Sequence, residues 1–375
     1  MTSPYCPDVY HGMYVEKQSE STAKLGFCCL SSFDTTSEVI DVNNPVTTQQ
    51  REIFETQERA SVCKDCWQTE SLGGRSRRQA IIDWYEHRGI QQDRTPNLVS
   101  LDYNTENICN LACITCGPRF SSRWVVEAEK MGLPFYYPPK SRASKNVLFD
   151  TLEVKDLRRV YFNGGEPFLT DDHIRVLKKV QQHGDISALD VNYNTNGTVL
   201  PTQEVFDIWK KCRSVKVMFS IDAVGSAFEF IRYPASWQEV NENLIAMRQA
   251  CPSVMFDVTF TLGIHNILYL PDTINWYERA IKRWSPHNNF NLHFCESFGP
   301  GNKHLSLSKL GYDQKQKLKS MLNIDGYSFQ TMIMSELDRR TQYDPGFLGY
   351  LDALSQTRGL DWKKSLEKLA DFLDI

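Results

Sequence analysis

The chain carries no marked excess of charge of one sign: 42 Lys and Arg stand against 46 Asp and Glu over 375 residues, a formal net charge of -4. So even a balance provides no global field to recruit a nucleic-acid backbone, and no obvious basic binding module stands out. Nucleic acid is therefore not an expected partner. Long hydrophobic runs are missing too: no stretch approaches twenty uninterrupted apolar residues. The start, Met1-Thr-Ser-Pro-Tyr-Cys6, lacks a basic segment followed by an apolar run. No membrane association is expected, and the cytoplasm is the expected compartment. No internal repeat or low-complexity tract is apparent. What is present is 41% hydrophobic content, enough for a large core, in a length that predicts more than one domain.

Cysteine is plentiful, with 11 residues. In a cytoplasm these read as metal ligands and scattered core thiols rather than disulfides. Three of them, Cys109, Cys113 and Cys116, follow the alternating segment Asn97-Leu-Val-Ser-Leu-Asp-Tyr-Asn104 in the run Ile108-Cys-Asn-Leu-Ala-Cys-Ile-Thr-Cys116. The spacing C-x3-C-x2-C points to an iron-sulfur cluster with an open iron. A cube of four irons has four corners, and three thiolates on one loop hold only three of them. Chance gives on the order of 0.01 such matches in a chain of this cysteine content. A structural zinc site or three buried thiols are the other readings of the same residues.

A second motif ends another strand candidate, Val160-Tyr-Phe-Asn-Gly-Gly-Glu-Pro167. Paired glycines let a backbone approach a ligand closely, proline ends a strand, and Glu offers a charge-assisted acceptor to an ammonium group. By itself the segment also reads as an ordinary strand-to-loop turn.

Together the cysteine loop and the Gly-Gly-Glu-Pro segment resemble the radical S-adenosylmethionine (SAM) superfamily. The resemblance implies that SAM chelates the open iron through its amino and carboxylate groups, and that the Gly164 and Gly165 backbone and the Glu166 carboxylate receive the amino group. Two further segments are similar to those of relatives that modify peptides and proteins: Asp190-Val-Asn-Tyr-Asn-Thr-Asn-Gly197, and Val215-Lys-Val-Met-Phe-Ser-Ile-Asp222 followed by Phe230-Ile-Arg-Tyr233. By resemblance Asn196, Ser220, Asp222 and Arg232 contact the ribose and carboxylate of SAM. Read without the family, they are polar strand ends and a surface arginine. No catalytic acid or base is assigned.

From Asn97 to about Pro300, strand and helix patterns alternate. Strands are expected at 98–104, 158–163, 189–195, 215–221, 255–261 and 290–296, with helices at 171–183, 202–213, 236–250 and 272–284. Repeated strand-helix units imply an α/β fold with a parallel sheet, and six of them suit a partial (β/α)6 TIM-like barrel, which the resemblance also implies. Both motifs fall at strand C-terminal ends, where such folds place their sites. One strand face is repeatedly polar: Ser100, Asp102, Asn104; Asn192, Asn194, Asn196; Asp257, Thr259, Thr261; Asn291, His293. If the apolar faces pack under helices, the polar ones line a binding cavity; the groups pairing with each other around water is the other reading.

The organisation expected is a cysteine-rich module at 1–96, the barrel at 97–300 and a helical extension at 301–375. The extension holds Ser306-Leu-Ser-Lys-Leu310 and Leu360 to Leu373, with Asp361 as N-cap. The segment Met131 to Arg142, rich in proline and aromatics, reads as an inserted loop able to cover the barrel mouth. In the module stand Cys6, the adjacent Cys28 and Cys29, and Cys63-Lys-Asp-Cys66 followed by Glu70 to Arg78. A C-x2-C pair suggests zinc as readily as iron-sulfur. The arrangement resembles the auxiliary-cluster module called SPASM, or its shortened form twitch, moved ahead of the radical domain. That resemblance implies a second 4Fe-4S cluster held by Cys6, Cys28, Cys63 and Cys66, with Cys29 able to replace Cys28. The glycine usual before the second ligand is not in its place, and the further cysteines of a two-cluster module are absent. Cys212, Cys251 and Cys295 read as core.

The function implied is reductive cleavage of SAM to a 5'-deoxyadenosyl radical that abstracts hydrogen from a substrate, with a peptide or protein the expected substrate and flavodoxin or ferredoxin an expected electron donor. Small-molecule or sugar oxidoreduction, RNA modification and a non-catalytic iron-sulfur protein are the alternatives.

Overall fold

The computed structural model describes residues 5–19, 22–31, 36–71, 74–133, 149–295, 302–324, 326–327, 329–339 and 343–375. Most of the expected covering loop, Met131 to Arg142, lies outside the described residues. The chain divides into two compact units: one comprises 1–106, 138–193 and 203–215, and the other 107–137, 194–202 and 216–375.

The strands are β1 (Gly12–Lys17), β2 (Ala23–Gly26), β3 (Thr36–Ser37), β4 (Ser100–Asn104), β5 (Arg159–Asn163), β6 (Asp190–Thr195), β7 (Ser214–Ser220), β8 (Met255–Leu262) and β9 (Phe290–Phe294). In the first unit β4, β5 and β6 are parallel neighbours, with Ser100 opposite Arg159 and Arg159 opposite Asp190. In the second, β8 pairs in parallel with β7 on one side and β9 on the other. The six expected strands are all found, with helices Asp172–His183, Gln203–Trp209, Trp237–Ala250 and Leu270–Ala280 between them. The fold class is the α/β class expected, with parallel strands and helices in alternation.

The sheet does not stop at residue 97. β1 runs parallel to β4 with Gly12 opposite Ser100 and Glu16 opposite Asn104, and β2 and β3 continue it antiparallel. The residues expected as a separate module thus add three strands to the first unit while keeping a core of their own, in which Val9, Tyr10, Phe27, Phe54, Ile81 and Tyr85 are buried. All six residues of β1 are buried. A strand covered on both faces loses the period-2 contrast that marks a half-buried one.

The polar and apolar faces separate as expected. In β5 and β7, alternate residues are fully buried (Val160, Phe162; Val215, Val217, Phe219) and those between are half-buried. Register builds a polar row across the first unit, placing Tyr14, Asp102, Tyr161 and Asn192 side by side. The apolar face of β5 and β6 packs aromatically: Phe162 stacks on Tyr193 at 5.0 Å, and Tyr193 meets Trp209 at 5.3 Å.

Residues 302–373 are mainly helical, with Asp361 capping the short helix Trp362–Ser365 by accepting from Lys363 N. The single amphipathic run expected from Leu360 to Leu373 is instead two helices, broken at Leu366 where the backbone leaves helical angles.

Candidate functional site

In the second unit, the segment 107–117 carries Cys109, Cys113 and Cys116, all half-buried. Its path is set by bonds that do not involve the thiols. Ala112 N–H donates to Tyr233 O at 2.7 Å and Ile114 N–H to Ile231 O at 2.8 Å, so the loop lies along the chain that ends the helix Gly225–Ile231. Ser121, N-cap of the helix Ser122–Lys130, donates through Oγ to Leu111 O at 2.5 Å, and Trp124 Nε1 donates to Cys113 O at 2.6 Å.

Two residues singled out by resemblance reach the sulfurs. Asn196 Nδ2 lies 3.7 Å from Cys109 Sγ and donates to Asn110 Oδ1 at 3.0 Å. Arg232 Nη1 lies 3.7 Å from Cys113 Sγ, while its Nη2 is 2.7 Å from Asp222 Oδ2. Asp222 is fully buried and accepts from Thr261 N at 2.7 Å through its other oxygen. Arg232 is therefore no surface residue, being 7% exposed. Its close approach to Asp222 is not aligned as a hydrogen bond, and its Nε has no partner. Burial pushes the Cys113 thiol up and the Arg232 charge pulls it back; burial and the neighbouring Cys113 both push Cys116 up. Ser220 ends β7 opposite Thr259 of β8.

Gly197 shows why the turn after Asn196 needs glycine. Its φ is +79°, and a Cβ there would stand 2.8 Å from the Phe219 ring. Gly197→Ala is expected to lower unfolding stability by about 2–4 kcal/mol, from left-handed strain plus overpacking, read as a fall in denaturation midpoint. A midpoint within one degree of the unmodified protein would mean that the turn relaxes freely.

Sequence reasoning passed over His265, just beyond the end of β8. It is fully buried with neither ring nitrogen partnered, and burial, helped by the Arg232 charge, lowers its pKa to about 3, so it is neutral. Its position after a strand C-terminal end was the only signal available. Arg358 and Tyr350, which bond to Ala112 O and Ile114 O of the cysteine loop, had no such signal.

In the first unit the Gly-Gly-Glu-Pro segment ends β5. Gly164 has φ +115°, and a Cβ there would come within 2.6 Å of Thr105 O. This glycine leaves room for the neighbouring chain at Thr105. Gly165 N–H donates to Glu106 O at 3.2 Å. Glu166 is fully buried and caps the turn Pro167–Leu169 by accepting from Phe168 N at 3.3 Å. Phe168 then enters the aromatic cluster, 5.0 Å from Tyr193.

The same unit gathers the N-terminal thiols. Cys6, Cys28, Cys63 and Cys66 line one cavity with Arg77 and Arg78, and each is under 10% exposed. Cys29 is exposed and does not line that cavity. Cys6 precedes the helix Pro7–His11, Cys28 follows β2, and Cys63 and Cys66 sit three apart at the start of the helix Lys64–Ser71. Burial pushes all four thiols up, most strongly Cys6 and Cys28. Arg78 is forked on Glu70 at 3.0 and 2.8 Å, and Ser76 caps the helix Arg77–His87. Arg77 bridges Asp8 at 3.2 Å and Asp102 at 2.6 Å.

Among the described residues, no three His, Cys, Asp or Glu side chains converge as ligands of a single metal ion. Thiolates on a cubic cluster each take a different iron, so they stand further apart than ligands of one ion. Three thiols on one loop, and four round one cavity, fit such clusters by donor chemistry.

Residues 103–277 match the Radical SAM superfamily model. That match covers just under half of the chain. No curated protein matches the chain. Similar solved structures include native anSMEcpe with bound AdoMet, at 16% identity over 60% of this chain and 60% of that one, with a TM-score of 0.42. The Streptococcus suis protein SuiB bound to precursor peptide SuiA is 12% identical over 82% of this chain and 67% of that one, with a TM-score of 0.34. A further structure of Streptococcus suis SuiB is 13% identical over 88% of this chain and 70% of that one, with a TM-score of 0.36. The chain spans under two thirds of the anSMEcpe length. The matched residues take in the cysteine loop, the Gly-Gly-Glu-Pro segment, Asn196, Asp222 and Arg232.

Proposed function

We propose that the protein is a radical SAM enzyme that cleaves SAM reductively and removes hydrogen from a peptide or protein substrate. The observation that carries the SAM chemistry is the three-cysteine loop inside the matched domain, with Asn196 and Arg232 each placed at one of its sulfurs. A reduced 4Fe-4S cluster there would supply the electron that splits SAM into methionine and a 5'-deoxyadenosyl radical. The chain's own part is positioning: Cys109, Cys113 and Cys116 hold three corners, Arg232 brings positive charge to a thiolate site, and the half-buried setting limits water.

A second cluster, held by Cys6, Cys28, Cys63 and Cys66, would exchange an electron with the substrate radical. Support for it is the four-thiol cavity and its likeness to SPASM and twitch modules; four protein thiolates would favour electron transfer over substrate binding. Modules of that kind accompany peptide and protein substrates, which is why that class is preferred over small molecules and sugars. Flavodoxin or ferredoxin would deliver the reducing electron. Among the described residues no helix is long and apolar enough to cross a membrane.

Glu166 and the SAM amino group offer a direct test. Glu166→Gln removes the charge and keeps the shape, and a charge-assisted hydrogen bond is worth roughly 1.5–3 kcal/mol, about ten- to a hundredfold in affinity. Calorimetric titration of SAM into reconstituted protein, with iron assayed in parallel, is expected to show that loss at unchanged iron. Affinity within twofold of the unmodified protein would leave Glu166 as the cap of Pro167–Leu169 alone. For the whole reading, reduced enzyme incubated with SAM and cell extract is expected to yield 5'-deoxyadenosine and a peptide or protein of altered mass; SAM left intact would sink it.

A further inference from the structure

The helix Gly346–Arg358 belongs to the stretch the sequence marked only as an extension, yet two of its side chains end on the cysteine loop. Arg358, with a fully buried side chain, donates through Nη2 to Ala112 O at 2.5 Å and through Nη1 to Phe230 O at 2.9 Å. Its other edge is paired with Glu127, Nε to Oε1 at 3.1 Å and Nη2 to Oε2 at 2.8 Å. Tyr350, eight residues and therefore about two turns earlier, donates to Ile114 O at 2.9 Å. Ala112 lies between Cys109 and Cys113, and Ile114 between Cys113 and Cys116.

These bonds complete a set. The N–H groups of Ala112 and Ile114 are taken by Tyr233 O and Ile231 O, and the Cys113 carbonyl by Trp124 Nε1. Three successive carbonyls, of Ala112, Cys113 and Ile114, thus each accept from a side chain buried in the second unit. A loop held at two N–H groups and three successive carbonyls loses freedom to turn its thiolates, and hydrogen bonds to a charged donor are the stronger kind. The Arg358 ring-side contacts fix the guanidinium further: its carbon lies 5.0 Å from the Tyr233 ring centre and 5.8 Å from that of Phe230. Replacing so forked a group by Lys keeps charge and loses the geometry.

We propose that Arg358 and Tyr350 are positioning residues of the three-cysteine loop, so that the helix Gly346–Arg358 is a working part of the radical SAM site. This rests on the radical SAM reading above. Both residues act through the loop's carbonyls.

The test uses the full chain, reconstituted anaerobically, with Tyr350→Phe, Arg358→Lys and Arg358→Gln. Asp352→Asn serves as control on the same helix, where Asp352 accepts from Trp362 Nε1 at 2.7 Å and does not bond to the loop. Hydrogen exchange is followed in peptides covering 109–117, and the reduced cluster's electron paramagnetic resonance spectrum is recorded with and without SAM. Tyr350→Phe is expected to melt within a few degrees of the unmodified protein yet to speed exchange in the loop at least about fivefold. Its SAM-induced spectral change should shrink. Arg358→Gln should do more, Arg358→Lys less, and Asp352→Asn nothing at the loop. Tyr350→Phe and Arg358→Lys suffice should Arg358→Gln fail to fold. Unchanged exchange and unchanged spectra in both, with iron bound, would overturn the positioning role alone. An unmodified protein that takes up no cluster on Cys109, Cys113 and Cys116 would overturn the radical SAM reading itself.

Discussion

Replacing Cys109, Cys113 and Cys116 together by Ala is expected to remove about four irons from the reconstituted protein and to reduce SAM cleavage to background, because thiolates are the only iron ligands the cluster takes from the chain. The fold should survive. The loop is held through the N–H groups of Ala112 and Ile114 and through the carbonyls of Leu111, Ala112, Cys113 and Ile114, all of which an alanine backbone retains. The thiols themselves are half-buried, so the cavity left by each is open on one side and costs little. Iron analysis, 5'-deoxyadenosine formation and circular dichroism on the same sample separate loss of the cluster from loss of structure. SAM cleavage retained by a folded triple variant would reject the assignment of this loop.

The second large effect is expected at the other end of the chain. Changing Cys63 and Cys66 to Ala should again remove about four irons, yet leave SAM cleavage in place while product disappears, since the electron from the substrate radical would have nowhere to go. These two residues are the best choice of the four. They share a short helical stretch, and the surrounding cavity is anchored independently by the Arg78–Glu70 fork and by Ser76. Cys63 belongs, with Cys6 and Cys28, to the buried core of this region, so circular dichroism on the double variant accompanies the iron assay. Full iron content in the double variant, or stoichiometric zinc in the unmodified protein, would end the auxiliary-cluster proposal. Cys29→Ala is the internal control: its thiol is exposed and outside the cavity, so iron should be unchanged.

The strands β4 to β9 were legible because polar and apolar residues alternate along them, an alternation that in β5 and β7 reappears as alternate burial. The cysteine loop was legible because three ligands of one cluster are close in sequence, so spacing alone carries the chemistry. β1 was not. Its residues Gly12-Met-Tyr-Val-Glu-Lys17 do not alternate polar with apolar, and only its pairing with β4 reveals it.

Whatever could be read along the chain is therefore local: the ligand spacing, the strand and helix repeat, the cap at Asp361 and the motif segments. How residues far apart in the chain meet was settled by folding alone. Cys28 rather than Cys29 faces Cys6, Cys63 and Cys66, Arg232 is a buried partner of Asp222 and not a surface residue, and Gly164 makes room for Thr105. Arg358 reaching Ala112 across 246 positions is the extreme case. A single arginine on a helix has no periodicity or spacing to announce its target, because its partners are backbone carbonyls, which every residue has.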